Sequence, residues 1–227
     1  MQTTTSETHH TNGTRKSEST YLKSMLHGPY RTWYEDGNLE REDFYDMDKR
    51  HGTCREFHPD GTPAKETTWV QGVLNGRYLE WYSSGQPSVE ATYVDNKESG
   101  VTTMWHRSSR FGKTSWDDPL WRRVEHKSDE STWGEDGERI DVRTWHPNGR
   151  PASELPLRGG KAHGECRSWY SNGRLRSFST CSDGRANGPL LTWYEHGGKE
   201  SEFNMVDGKE SGEQIVWDVD GLQTIWT

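Results

Sequence analysis

The chain has 227 residues, a formal charge of −8, and 28% hydrophobic against 28% charged residues. Charge and low hydrophobicity of this kind suit a disordered chain, but disordered chains are short of aromatics, and this one has 12 Trp and 24 Gly. No segment approaches the 18 apolar residues of a membrane-spanning helix, and the acidic balance excludes a general nucleic-acid binder while favouring a basic protein partner.

In chain order, residues 1–20 are rich in Ser and Thr, lack periodicity, show no apolar signal-peptide core, and are expected to form a flexible tail. Residues 21–106 then repeat. Gly28, Gly52, Gly76 and Gly100 stand 24 residues apart, and Gly164, Gly188 and Gly212 resume the series in residues 131–227. One cassette further back from Gly164, Ile140 holds the same place. Five residues beyond each start lies an aromatic: Trp33, Phe57, Trp81, Trp105, Trp145, Trp169, Trp193 and Trp217. A Tyr or His follows it (Tyr34, His58, Tyr82, His106, His146, Tyr170, Tyr194), a turn glycine comes nine residues in, and a glutamate fourteen in, as at Glu42, Glu66, Glu90, Glu154 and Glu202. Asp36-Gly37, Asp60-Gly61, Asn148-Gly149, Asn172-Gly173 and Asp220-Gly221 read as type I′ hairpin turns. Segments such as Gly160-Lys161-Ala162-His163-Gly164 read as the tight links between hairpins. A lone hairpin is marginal in water, so the units must stack. The expected fold is all-β: an elongated solenoid of about eight to nine stacked β-hairpins forming a single twisted antiparallel sheet.

Residues 107–130 break the register as an irregular insertion. It carries Trp116, Asp117, Asp118, Trp121, Arg122 and Arg123, of which Trp and Arg are enriched at interface hot spots. Trp133-Gly134-Glu135-Asp136-Gly137 after it looks like a truncated half-cassette.

The spacing Gly-x4-Trp-Tyr-x2-Gly, best seen from Gly188 to Gly197 and from Gly160 to Gly173, resembles the MORN repeat, and more closely the variant found in the bacterial YwqK-type antitoxin family. The resemblance covers roughly residues 27–226. It implies a repeat protein of MORN-like cassettes, with antitoxin, scaffold or contested lipid-binding roles.

Candidate sites follow from the columns. The eight aromatics suit a structural ladder. Arg31, Arg55, Arg143 and Arg167 stand two residues before their aromatic, where a guanidinium can stack on the ring and make an elongated partner-binding groove, and the insertion is a second candidate partner-binding element, a protruding loop. The His residues share slots with Tyr, Asn or Ser and suggest no metal, and Cys54 and Cys166 occupy a slot shared with Tyr30 and Tyr78. No nucleophile–base pair or cofactor motif occurs, so neither an enzyme nor a cofactor is expected. Three Cys imply no disulfide framework and a reducing, cytoplasmic setting. The favoured function is a non-catalytic protein-binding module of antitoxin or immunity type, facing a basic toxin or enzyme. The alternatives are a carbohydrate or cell-surface binder and a lipid-associated scaffold. The last hairpin, with Val216, Trp217, Ile225 and Trp226, suggests end-to-end self-association through an open sheet edge.

Overall fold

A computed structural model describes residues 2–107 and 127–226, and every regular element among them is a β-strand. The chain divides into two units, Met1–Val124 and Glu125–Thr227. The first contains β1 (Thr4–His9), β2 (Arg15–Leu22), β3 (Met25–Trp33), β4 (Leu39–Asp46), β5 (Lys49–Arg50), β6 (Gly52–Phe57), β7 (Pro63–Val70), β8 (Val73–Trp81), β9 (Pro87–Val94), β10 (Lys97–Glu98) and β11 (Gly100–Trp105). The second contains β12 (Lys127–Trp133), β13 (Arg139–Trp145), β14 (Pro151–Arg158), β15 (Lys161–Ala162), β16 (Gly164–Trp169), β17 (Leu175–Ser182), β18 (Arg185–Trp193), β19 (Lys199–Val206), β20 (Lys209–Glu210), β21 (Gln214–Trp217) and β22 (Gln223–Trp226). Within each unit, consecutive strands pair antiparallel into an open meander of hairpins. The all-β hairpin array expected from the 24-residue period is therefore present in both units.

The amino-terminal segment departs from expectation. It is no flexible tail: Thr4 pairs with Tyr21, Glu7 with Glu18, and the hairpin joins β3 through Ser19 and Tyr30. The repeat starts 24 residues before Gly28, at Thr4. His10, Asn12-Gly13, Glu18 and Tyr21 occupy their columns, while Thr4 and His9 replace the starting glycine and the aromatic. Those two substitutions hide the cassette. The insertion is also shorter than the sequence suggests, because Lys127–Glu130 already belong to β12. Trp133–Gly137 is no half-cassette but the turn of a complete β12–β13 hairpin.

The turn types are the reverse of those expected. At Asp36-Gly37 only the glycine has positive φ, 90°. Gly37 N–H donates to Tyr34 O (3.0 Å), and Tyr34 N–H donates to Asn38 O (2.9 Å). Type I′ requires positive φ at both central residues, so this is a type I turn closed by a glycine bulge. Gly61, Gly85, Gly149, Gly173, Gly197 and Gly221 repeat it. True two-residue type I′ loops lie at the opposite strand ends, at Lys23-Ser24, Met47-Asp48, Gln71-Gly72, Asp95-Asn96, Gly159-Gly160, Asp183-Gly184 and Asp207-Gly208, all with positive φ. Met47, at φ 50°, is poorly suited to this conformation. Left-handed backbone costs a side-chain-bearing residue about 1–2 kcal/mol, and Asn tolerates it best after Gly. Met47→Asn is expected to raise stability by about 0.5–1 kcal/mol, read as a higher urea midpoint at unchanged slope.

The core sits in unit 1. Cys54, Leu79, Trp81, Ala91 and Trp105 are its fully buried apolar side chains, whereas among the described residues of unit 2 none is fully buried. The eight-membered aromatic ladder thus has two buried rungs, Trp81 and Trp105, and six half-buried ones.

Candidate binding surface

The Tyr/His column has one role at every described site with a printed partner. Tyr34 Oη donates to Phe57 O at 2.7 Å, Tyr82 Oη to Trp105 O at 3.0 Å, Tyr170 Oη to Trp193 O at 2.8 Å and Tyr194 Oη to Trp217 O at 2.9 Å. His10, His58 and His146 use Nε2 in the same way toward Trp33, Trp81 and Trp169, at 2.8, 3.1 and 2.8 Å. A carbonyl acceptor requires the proton on Nε2. Each ring tip therefore ties one cassette to the aromatic of the next, which explains why Tyr and His interchange. Tyr34→Phe is expected to cost about 1–2 kcal/mol by stranding the Phe57 carbonyl, while Tyr34→His costs less than half as much. Paired denaturant titrations check this.

The glutamate and arginine columns face each other across strands. Glu18, Arg31, Glu42, Arg55 and Glu66 align on β2, β3, β4, β6 and β7. Arg31 Nε lies 2.7 Å from Glu42, and Arg55 Nε lies 3.0 Å from Glu66. In unit 2, Arg143 pairs with Asp141 at 3.0 Å, and Arg167 contacts Glu165 and, at 3.9 Å, Glu154. Arg167 stacks over Phe178, the residue opposite it across the strands, rather than over Trp169. Trp33, Trp145 and Trp217 are capped instead by Arg15, Lys127 and Lys199. The strand register sets this exchange: it places a carboxylate beside each arginine and a cation from the preceding strand over the ring. Exposed pairs of this kind contribute at most about 1 kcal/mol each.

The other face of unit 1 carries a cluster that no column requires. Asp43 is 1% exposed, between Arg41 (Nε–Oδ2 2.8 Å) and Arg50 (Nη2–Oδ2 3.3 Å). Both carboxylate oxygens are sealed from solvent, and the Arg41 guanidinium and the Cys54 thiol donate to them. Arg41 also lies 3.8 Å from Glu56. Arg50 stacks on Trp69 at 5.1 Å, and Lys65 stacks on Tyr78 at 4.6 Å while pairing with Glu80 at 3.3 Å. Arg41, Asp43, Arg50, Glu56, Lys65, Trp69 and Tyr78 line a cleft of about 240 Å³, which meets a wider groove of about 450 Å³ along Tyr30, Tyr34, Phe57 and His58, the two sharing Arg41 and Glu56. Elsewhere the Asp43 column holds Ser19, Thr67, Ala91, Leu155, Ser179 and Phe203; the Arg50 column holds Leu26, Leu74, Ala162 and Ala186 beside Glu98 and Glu210; and Arg41 and Lys65 share a column with Val89, Asp129, Ser153, Ser177 and Ser201. The fold accepts small or apolar residues at all three positions.

Cys54, on the cleft floor, is fully buried, and desolvation pushes its thiol up to about 12. Thiolate is the reactive form. In the folded protein Cys54 is therefore expected to resist iodoacetamide at pH 8, and to react at the rate of a free thiol once the chain is unfolded, as read by peptide mass. Because the unfolded thiol ionises at lower pH than the folded one, Cys54 withdraws stability as pH rises from about 9 toward 12.

Trp116, Asp117, Asp118, Trp121, Arg122 and Arg123 lie outside the described residues. Of the four column arginines, Arg31 and Arg55 lie on β3 and β6 of unit 1, and Arg143 and Arg167 on β13 and β16 of unit 2. The cleft escaped sequence reading because its members come from three columns, Arg41 and Lys65 in one, Asp43 in another and Arg50 in a third, and strand pairing brings them together. The carboxylate of Asp43, in a column that elsewhere holds only neutral residues, was the available signal. Among the described residues no cluster of His, Cys, Asp and Glu is arranged to hold a metal ion.

A family model described as "MORN repeat variant" matches residues 26–47, 50–71 and 74–95. MORN repeats occur in membrane- and protein-binding scaffold modules. No curated protein matches the chain. Among solved structures, it is similar to a chain in "Crystal Structure of TcdB2-TccC3", with 11% identity, 95% of this chain covered and a TM-score of 0.22. It is likewise similar to a chain in "Crystal Structure of TcdB2-TccC3-Cdc42", with 12% identity, 98% covered and a TM-score of 0.24. The chain spans 13% and 14% of the length of those two chains. Three consecutive repeats of unit 1 thus match a MORN-variant model, and the cleft is built on them.

Proposed function

We propose that the chain is a non-catalytic module that binds a partner protein through the cleft face of unit 1. The carrying observation is the Arg41–Asp43–Arg50–Lys65 cluster, which places a buried carboxylate in a column that elsewhere holds only neutral residues, with three cations around it. The grooves add Tyr30, Tyr34, Trp69 and Tyr78, and aromatic and arginine side chains are the types that anchor interfaces. Within this reading the protein is an antitoxin- or immunity-type inhibitor, or an adaptor, in a reducing cytoplasmic setting where its three thiols stay free. The acidic balance speeds encounter with a basic toxin or enzyme. Co-expression with toxins encoded beside its gene tests this. Rescue of growth, lost in Lys65→Glu/Tyr34→Ala, is the expected result, and rescue unaffected by that variant would move the surface elsewhere.

A further inference from the structure

Two columns of the repeat meet diagonally across each hairpin. In unit 1 they bring Tyr30 edge-on to Tyr45, with ring centroids 6.2 Å apart, and Tyr78 to Tyr93 at 5.4 Å. In the cassette from Gly164 the same two columns hold Cys166 and Cys181. Cys166 lies opposite Ser179 and Cys181 opposite Gly164, so the thiols are diagonal neighbours on β16 and β17. Gly164 has no side chain to hold them apart. Cys166 Sγ leans toward Cys181, 3.9 Å from Gly164 O, and Cys181 Sγ leans back toward Cys166, 3.8 Å from Ser179 Oγ. The two thiols are in hydrogen-bond contact with each other. Both are half-buried and within reach of a small reagent, whereas Cys54 is buried and has Trp69 in the diagonal position.

We infer that Cys166 and Cys181 form a redox-active pair, a modification site that closes to a disulfide by exchange with a low-molecular-weight disulfide. One cysteine attacks as thiolate, the S–S bond of the small disulfide breaks, a mixed disulfide forms on the protein, and one small thiol leaves. The second cysteine attacks the protein sulfur of that mixed disulfide and expels the other small thiol. Two protein thiols are oxidised, one small disulfide is reduced to two thiols, and the two cysteine protons pass to the leaving sulfurs. Diagonal partners in an antiparallel pair stand about 7–8 Å apart at Cα, just beyond the usual span of a disulfide. The ladder between β17 and β18 breaks between Ser179 and Cys181, so on that side the Cys181 backbone is free to make the small approach that closure needs. A bond closed in this way is readily reduced, as a switch requires and a permanent staple does not. Burial pushes the Cys166 thiol up to about 12. Only the thiolate attacks, so the exchange is slow and its end point reports the pair.

The test equilibrates the full chain with mixtures of reduced and oxidised glutathione, quenches each sample in acid, unfolds and alkylates it, and reads intact and peptide masses. The expected result is a single chain lacking two hydrogens in which the Cys166 and Cys181 peptides are joined. Its share rises about tenfold or more from the reduced to the oxidised end of the series, and it returns to free thiols on transfer to reduced glutathione. Cys166→Val and Cys181→Met should each abolish the joined species. Both variants keep the fold, because the two columns already hold Val142 and Met205. Free thiols at both positions at the oxidised end would overturn the pairing, and so would separate glutathione adducts on the two cysteines. A disulfide joining either of them to Cys54, or to a second chain, would overturn it as well.

Discussion

Gly76→Ala is expected to lower the stability of unit 1 by about 2–4 kcal/mol, the sum of a left-handed backbone penalty and local overpacking. Gly76 has φ 122°, and a Cβ there would stand 3.0 Å from Thr68 Cβ and 3.1 Å from its Cγ2. Thr68 is β-branched and held in β7, so it has no free rotamer into which to retreat. The same glycine column makes easier contacts elsewhere: 3.6 Å to Thr20 at Gly28 and 3.9 Å to Phe44 at Gly52. Gly37→Ala has only the backbone penalty, because nothing lies within 4 Å of its added Cβ. Thermal melts should therefore rank Gly76→Ala below Gly52→Ala and Gly37→Ala, with Gly76→Ala falling by roughly 6–12 °C. An indistinguishable trio would mean that the repeat glycines serve backbone freedom alone.

Asp43→Ala is the second large effect. It leaves the Arg41 and Arg50 guanidinium groups facing each other without their shared counterion. Removing one partner of a buried ion cluster costs about 3–5 kcal/mol, and because the two arginines are about a third exposed the expected loss is nearer 2–3 kcal/mol. The variant should melt early and regain part of the loss in high salt, where repulsion between the arginines is screened.

The fold was largely legible because its period is carried by columns: the aromatic, the Tyr or His, the turn glycine and the glutamate each answer a demand that every hairpin repeats. What failed was local. Asp36-Gly37 looks like a type I′ pair, but the His or Tyr before it takes part in the turn and leaves only the glycine left-handed. Met47-Asp48 carries no turn signature and yet forms the type I′ loop, since strand pairing on either side leaves those two residues no other route. The first cassette went unseen because Thr4 and His9 hold its two most recognisable positions. The cleft was hidden for a different reason. Asp43, Arg50 and Lys65 are unremarkable charges along the chain, and only the pairing of β4 with β5 and β6, and of β6 with β7, places them around one space.

If the columns carry the fold and the departures from them carry binding, the cluster can be returned to repeat chemistry without harm. Arg41→Ser, Asp43→Thr and Arg50→Leu together install residue types that the same columns already hold at Ser177, Thr67 and Leu74. Replacing a buried ion cluster with well-packed neutral residues is commonly neutral or stabilising by about 1–4 kcal/mol. The measurement is the melting temperature of this triple variant beside Asp43→Ala. The triple variant melting at or above the wild type, with Asp43→Ala well below it, is the predicted result. A triple variant that melts as low as Asp43→Ala would contradict it and make the cluster part of the fold.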